Sequence, residues 1–166
     1  METFAVLLLS IMSLITLIAS FVFTRGLFPR KVDLIQAALE NHWKRSFWLG
    51  LVNTVFITIL VLGLGSLGNN FRVFYLPAFA IYAVFLIGLL FGLTAFIQLL
   101  GGRLFPERTP VQRDIRAGVV VILTGLLPAV GWFLLFPYVI FLSIGAVVLT
   151  LFRKKTPPLI ADEIED

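Results

Sequence analysis

Long apolar runs and short basic blocks alternate along this chain, and that alternation leaves few folds open. The apolar runs occupy residues 4–23, 47–67, 74–100 and 117–152. A helix rises about 1.5 Å per residue, so about 20 residues span the roughly 30 Å of a bilayer's hydrocarbon core. Twelve of the thirteen Lys and Arg residues fall in 25–45, 103–116 and 153–155, leaving only Arg72 elsewhere. All twelve fit on one side of a membrane. Cationic loops stay in the cytoplasm, so the pattern predicts an all-α, polytopic helical membrane bundle with its N-terminus outside and its C-terminus cytoplasmic. The expected location is the bacterial inner membrane.

Composition narrows the function classes. With 60% hydrophobic residues, almost the whole chain is taken up by spanning segments. The longest polar connection, 24–46, has 23 residues, too few for a soluble catalytic domain with its own core. The net charge of +4 comes from basic residues at the ends of apolar runs, which fits anionic lipid headgroups rather than nucleic acid. Arg30, Lys31, Lys44, Arg45, Arg103, Arg108, Arg153, Lys154 and Lys155 are the residues expected to meet anionic lipid or an acidic partner. There is no Cys and one His, so no metal or cofactor is expected.

The chain divides into an N-terminal transmembrane helix (1–24), a cytoplasmic amphipathic helix (25–46), a membrane bundle of two helical hairpins (47–155) and a disordered acidic tail (156–166). The first run lacks a basic stretch before it and is expected to be a retained helix, not a signal peptide. In it Ser10, Ser13, Thr16 and Ser20 recur at helical steps. Each hydroxyl is expected to bond back to the preceding turn. In 30–46, Val32, Ile35, Leu39 and Trp43 share a face opposite Asp33, Gln36, Glu40, Lys44 and Arg45. That pattern predicts a helix lying in the cytoplasmic interface. His42 at its end reads as an interfacial polar residue. Trp43 and Trp48 are expected at the inner interface, and Tyr75, Trp132 and Tyr138 at the outer one.

The run 117–152 has 36 residues; one helix of that length would measure about 54 Å. Pro128, Gly131 and Pro137 predict a break between two arms, giving five membrane segments, with a re-entrant hairpin as the alternative. Gly88 and Gly92 form a GxxxG pair suited to close helix contact. Gly118, Gly125, Gly145 and the amide of Asn53 are further candidates for helix packing. An internal repeat is suggested by Gly50 and Gly63, which match Gly118 and Gly131 at an offset of 68 residues. Two similarly oriented hairpins would follow.

Arg45–Gly50 carries the pattern Arg-Ser-Phe-x-x-Gly; Gly102-Arg103 follows the second long run; Pro128–Trp132 reads Pro-x-x-Gly-Trp; Gly145-Ala146 lies in the last run. With these motifs, residues 45–152 resemble the four-helix bacterial membrane domain found with bactofilin-like, polymer-forming cytoskeletal proteins. The β-helix module of those proteins is not matched here. The resemblance implies a membrane-embedded scaffold without established chemistry.

None of the apolar cores contains an ionisable residue, and Asp114 and Arg116 read as a solvated charge run. The expected function is that of a non-catalytic accessory, scaffold or assembly subunit, not an enzyme. Its partners would be membrane lipids and either another membrane protein or a second copy. The alternative is a small transporter or oligomeric pore lined by Asn53, Thr58, Thr124 and Gln98.

Overall fold

The described parts of the apolar runs are helical, because a buried or lipid-facing backbone must satisfy its N–H and C=O groups internally. The computed structural model describes residues 2–68, 71–125, 127 and 131–152. In chain order the helices are α1 (Glu2–Leu27), α2 (Pro29–Asn41), α3 (Trp43–Gly68), α4 (Tyr75–Leu104), α5 (Pro110–Gly125) and α6 (Phe136–Phe152). A 3-10 turn, Arg72–Phe74, leads into α4, and a π turn, Gly131–Leu135, leads into α6. No strand is present among the described residues. Three segments are long and apolar enough to cross a membrane: Trp43–Gly68, Arg72–Leu104 and Gly131–Phe152.

Local sequence explains the boundaries. Pro29 and Pro110 open α2 and α5, where a missing N–H costs no helical bond. Pro137 falls just after the π turn. It has no N–H to donate to the carbonyl one turn back, and the widened turn precedes it.

α4 is the central helix and touches each of the other five. One core cluster joins Val32, Ile35, Ala38 and Leu39 of α2 to Ala95 of α4 and to Leu142 and Ala146 of α6. A second joins Phe21 of α1, Ile97 of α4 and Ala117 of α5. The amphipathic helix is therefore present, but its apolar face is turned to protein. Val32 is fully buried, and Ile35 and Leu39 are nearly so. α2 is a wall of the bundle more than a float on its surface, while Arg30, Lys31, Asp33 and Glu40 stay exposed.

Helix directions bring a correction. α3 and α4 form an antiparallel hairpin, closed where Gly68 meets Tyr75. α6 runs opposite to α4. Gly92 lies against Ser143 and Gly88 against Ile144 and Val147. Beyond them, 80–88 of α4 share a groove with 144–151 of α6. α6 therefore runs parallel to α3. The Phe47 ring confirms this pairing through contacts with Tyr138 and Phe141. α5 also runs opposite to α4, with Gly101 against Arg113 and Ala117. α5 ends at Gly125 and the π turn begins at Gly131, while Pro128 lies outside the described residues; the two arms do not fold back as a hairpin. They run in the same sense, displaced sideways. Glycine at 131 allows this, since a Cβ there would overlap the Gly125 carbonyl.

Two further expectations change with it. Tyr138 belongs near the start of α3, beside Phe47, and not at the opposite end with Tyr75, while Trp132 lines an apolar space with Leu17, Leu89 and Gly125. Phe152, the last described residue, lies toward the end of the bundle where α3 finishes, so α6 is not an arm returning to the basic end. The glycine repeat also takes unequal forms. Gly50 is wedged against α6, whereas Gly118 only touches Ile18 and Gly63 has nothing within 4 Å. The expected disordered tail lies outside the described residues.

Candidate functional site

Among the glycines of the described residues, the closest contacts are at the crossing of α3 and α6. A Cβ placed on Gly50 would overlap the Phe141 carbonyl, and one on Gly145 would overlap the Ser46 carbonyl. The backbones themselves touch, which only small residues permit. Ser46 and Ser143 are fully buried around this contact, and their hydroxyls have no hydrogen-bond partner. α4 closes on the same region from the other side. A Cβ on Gly92 would come within 2.6 Å of the Ser143 backbone oxygen.

The other glycines singled out from sequence are looser. A Cβ on Gly88 would reach only side-chain ends, at 3.8 and 3.9 Å. Gly118 would meet Ile18 at 3.9 Å, and Gly125 the Phe136 ring at 3.3 Å. The GxxxG pair thus contributes one close approach, at Gly92. Gly101 is a close approach that sequence reasoning missed; a Cβ there would lie 3.0 Å from the Arg113 carbonyl oxygen. Gly50, noticed only for its spacing, makes the closest contact together with Gly145.

Polar side chains mostly serve their own helices. Asn53 donates to the Leu49 carbonyl at 2.8 Å, and Thr58 and Thr124 donate to Thr54 and Val120. In α1, Thr16, Ser20 and Thr24 bond back one turn in the same way. Gln98 is the exception. Its Nε2 donates to Asp33 Oδ1 across α2 and α4 at 2.9 Å, while its Oε1 is buried without a partner.

The charge run at the start of α5 is not fully solvated. Asp114 is 7% exposed and forms an ion pair with Arg25 of α1. The same guanidinium nitrogen also donates to the Pro110 carbonyl at 3.2 Å. This pair fastens the end of α1 to the start of α5, beyond the packing of Phe21 and Ile18. Arg116 lies over the Phe105 ring instead, 5.9 Å from its centroid.

Arg30, Lys31, Lys44, Arg45, Arg103 and Arg108 are all exposed. Lys31 and Lys44 lie over the rings of Phe28 and Trp43, at 5.4 and 5.7 Å. Arg153, Lys154 and Lys155 lie outside the described residues. Among the described residues, no three of His, Asp and Glu are grouped closely enough to hold a metal ion. Two apolar spaces of about 350 Å³ flank α4, one walled by α1, α5 and α6, the other by α3 and α6.

No family model matches the chain, and no curated protein or solved structure shows significant similarity to it.

Proposed function

We propose that this chain is a multi-pass protein of the bacterial inner membrane that serves as a non-catalytic scaffold or assembly subunit. The observation that carries the reading is the backbone contact of Ser46 and Gly50 with Phe141 and Gly145. At this crossing the touching backbones leave no room for water, and the groove that α3, α4 and α6 share further on is lined only by apolar residues and glycine. Such a core is suited to holding a fixed shape. α3 has one face in that contact and is the least buried of the three spanning segments. Its outward side, with Val52, Phe56 and Ile59 exposed, is available to lipid or to a partner's helix. The four-helix membrane domain that residues 45–152 resemble supports the same reading.

The proposed orientation puts the start of α3 in the cytoplasm. Arg25, Arg30, Lys31, Lys44, Arg45, Arg103, Arg108, Arg113 and Arg116, nine of the thirteen cations, belong to connections and helix ends on that side. The N-terminus is then outside. Because α6 runs with α3, Phe152 is on the outer side in this orientation; residues 153–166, whose cationic start points to a cytoplasmic C-terminus, lie outside the described residues.

The pore alternative requires Asn53, Thr58, Thr124 and Gln98 to line one path. They lie on three different helices, and three of them bond back to their own. The deciding experiment pairs two measurements on the full chain. A photo-crosslinking residue at Phe56 should join α3 to a second copy or to one distinct membrane protein. Liposomes holding the purified chain should show no saturable, pH-gradient-dependent solute uptake. Such uptake would overturn the scaffold reading.

A further inference from the structure

Lys44 and Arg45 differ from the other cations in what lies beside them. Both are exposed, and with Trp48 and Leu49 they line a shallow groove on α3. Neither is ion-paired among the described residues. Glu40, the carboxylate closest to them in sequence, is exposed and bonds to neither. Lys44 Nζ lies 5.7 Å from the centroid of the Trp43 ring, a contact that favours an ordered ammonium.

The groove changes character along the helix. Trp48 follows Lys44 by four residues, and Leu49 follows Arg45 by four. Each apolar side chain therefore lies on the same face as a cation, about 6 Å further along. Val52 continues the Lys44–Trp48 row and is also exposed. Two positive charges followed by an indole, where a spanning helix enters the bilayer, match a phosphate with an acyl chain beyond it. A soluble anion would leave the indole unused, and a plain hydrocarbon would leave the charges unused. The guanidinium can hold two phosphate oxygens at once, and the ammonium adds a point charge. A zwitterionic lipid carries the same phosphate, but its headgroup ammonium would face Lys44 and Arg45.

We propose that the groove of Lys44, Arg45, Trp48 and Leu49 at the start of α3 selects one anionic phospholipid. The phosphate lies between the two cations, and the first part of an acyl chain lies against Trp48. This rests on the membrane-embedded reading above, and the test separates the two.

The reporter is the full chain with Trp43→Phe and Trp132→Phe, which leaves Trp48, 65% exposed, as the sole Trp. It is reconstituted into vesicles of phosphatidylglycerol and phosphatidylcholine in equal parts. In one preparation only the phosphatidylglycerol carries brominated acyl chains, in the other only the phosphatidylcholine, so the surface charge is the same in both. Bromine quenches an indole on contact. The expected result is stronger quenching of Trp48 by the brominated phosphatidylglycerol. It should correspond to a roughly fivefold preference, the factor that one Lys or Arg near an anionic surface supplies. The Lys44→Gln/Arg45→Gln variant should lose the preference. Arg103→Gln/Arg108→Gln, which removes the same charge elsewhere, should keep it. A companion protein that retains only Trp132, exposed beside an all-apolar space, should show none. Equal quenching of Trp48 by the two lipids overturns the site. So does a preference that survives Lys44→Gln/Arg45→Gln in protein eluting as the parent does. A preference that Trp132 shares, or that Arg103→Gln/Arg108→Gln abolishes as fully, overturns it too, because general basic charge would then be the cause. Quenching of neither Trp by either lipid overturns the membrane reading and the site with it.

Discussion

The rings of Phe47 and Tyr138 lie 5.5 Å apart between centroids, so the start of α6 sits beside the start of α3. From that one contact follow the parallel run of the two helices and the backbone crossing further on, about one turn along α3 at Gly50 and two along α6 at Gly145. It also decides on which side α6 ends. Had α6 been a returning arm, Tyr138 would lie near Tyr75.

A labelling experiment checks the direction. The chain has no Cys, so single reporters are unambiguous. Val73 and Phe152 are strongly exposed, at 79% and 83%. Val73→Cys and Phe152→Cys should react with a membrane-impermeant thiol reagent from one side, and Glu107→Cys from the other. Phe152→Cys reacting from the Glu107 side would restore the hairpin topology.

The crossing makes a second prediction. Gly50→Leu and Gly145→Leu force touching backbones apart and should destabilise the bundle at or above the upper end of the usual overpacking cost, about 1–3 kcal/mol. Gly92→Leu should fall within that range. Gly63→Leu should be nearly silent, because nothing lies within 4 Å of it. Thermal unfolding in mild detergent ranks the four; a Gly50→Leu protein as stable as Gly63→Leu would exclude the contact.

How much of this was legible beforehand varies with the kind of signal. The helices were, because apolar run length and proline position are local properties. The face of α2 was legible too, but not what it meets: the same stripe of Val32, Ile35 and Leu39 serves a lipid interface or a protein wall. The hydroxyls of Thr16, Ser20 and Thr24 in α1 and of Thr58 in α3 bond back one turn, as short polar side chains in helices commonly do; those of Ser46 and Thr54 do not. The direction of α6 was not legible. Three cations after residue 152 argued for a return to the cytoplasm, and only tertiary contacts oppose them. The burial of Asp114 was hidden for a similar reason, since its partner Arg25 lies 89 residues away. One hint existed. Asp114, Gly118, Val121 and Gly125 recur at helical steps on one face of α5, so a face of small and apolar residues carried a single acid.

That acid gives the third prediction. Asp114→Asn or Arg25→Gln alone removes one partner and leaves the other partly desolvated, which should cost about 1–3 kcal/mol. The double variant should cost less than the sum, with a coupling of at least about 0.5 kcal/mol in a thermal double-mutant cycle. Strict additivity would mean that the two side chains do not interact in the membrane-bound protein, and that α1 is held by apolar packing such as that of Phe21 and Ile18.

Gln98 carries the last prediction. Its Nε2 donates to Asp33, which is exposed and can be rehydrated when that bond is lost. Its Oε1 is buried with no partner, and burying an unpaired amide oxygen costs about 1–3 kcal/mol. Gln98→Met keeps the volume and removes both terms, so they should offset each other to within about 1 kcal/mol. Gln98→Glu should be clearly worse, because it sets a second carboxylate against Asp33 with little access to water. Melting in detergent at one pH compares the three proteins. A loss of more than about 2 kcal/mol for Gln98→Met would show that Oε1 has a partner of its own. In a bundle whose other amides and hydroxyls mostly bond back to their own helices, that partner would be the first sign of a polar ligand or ordered water between α2 and α4.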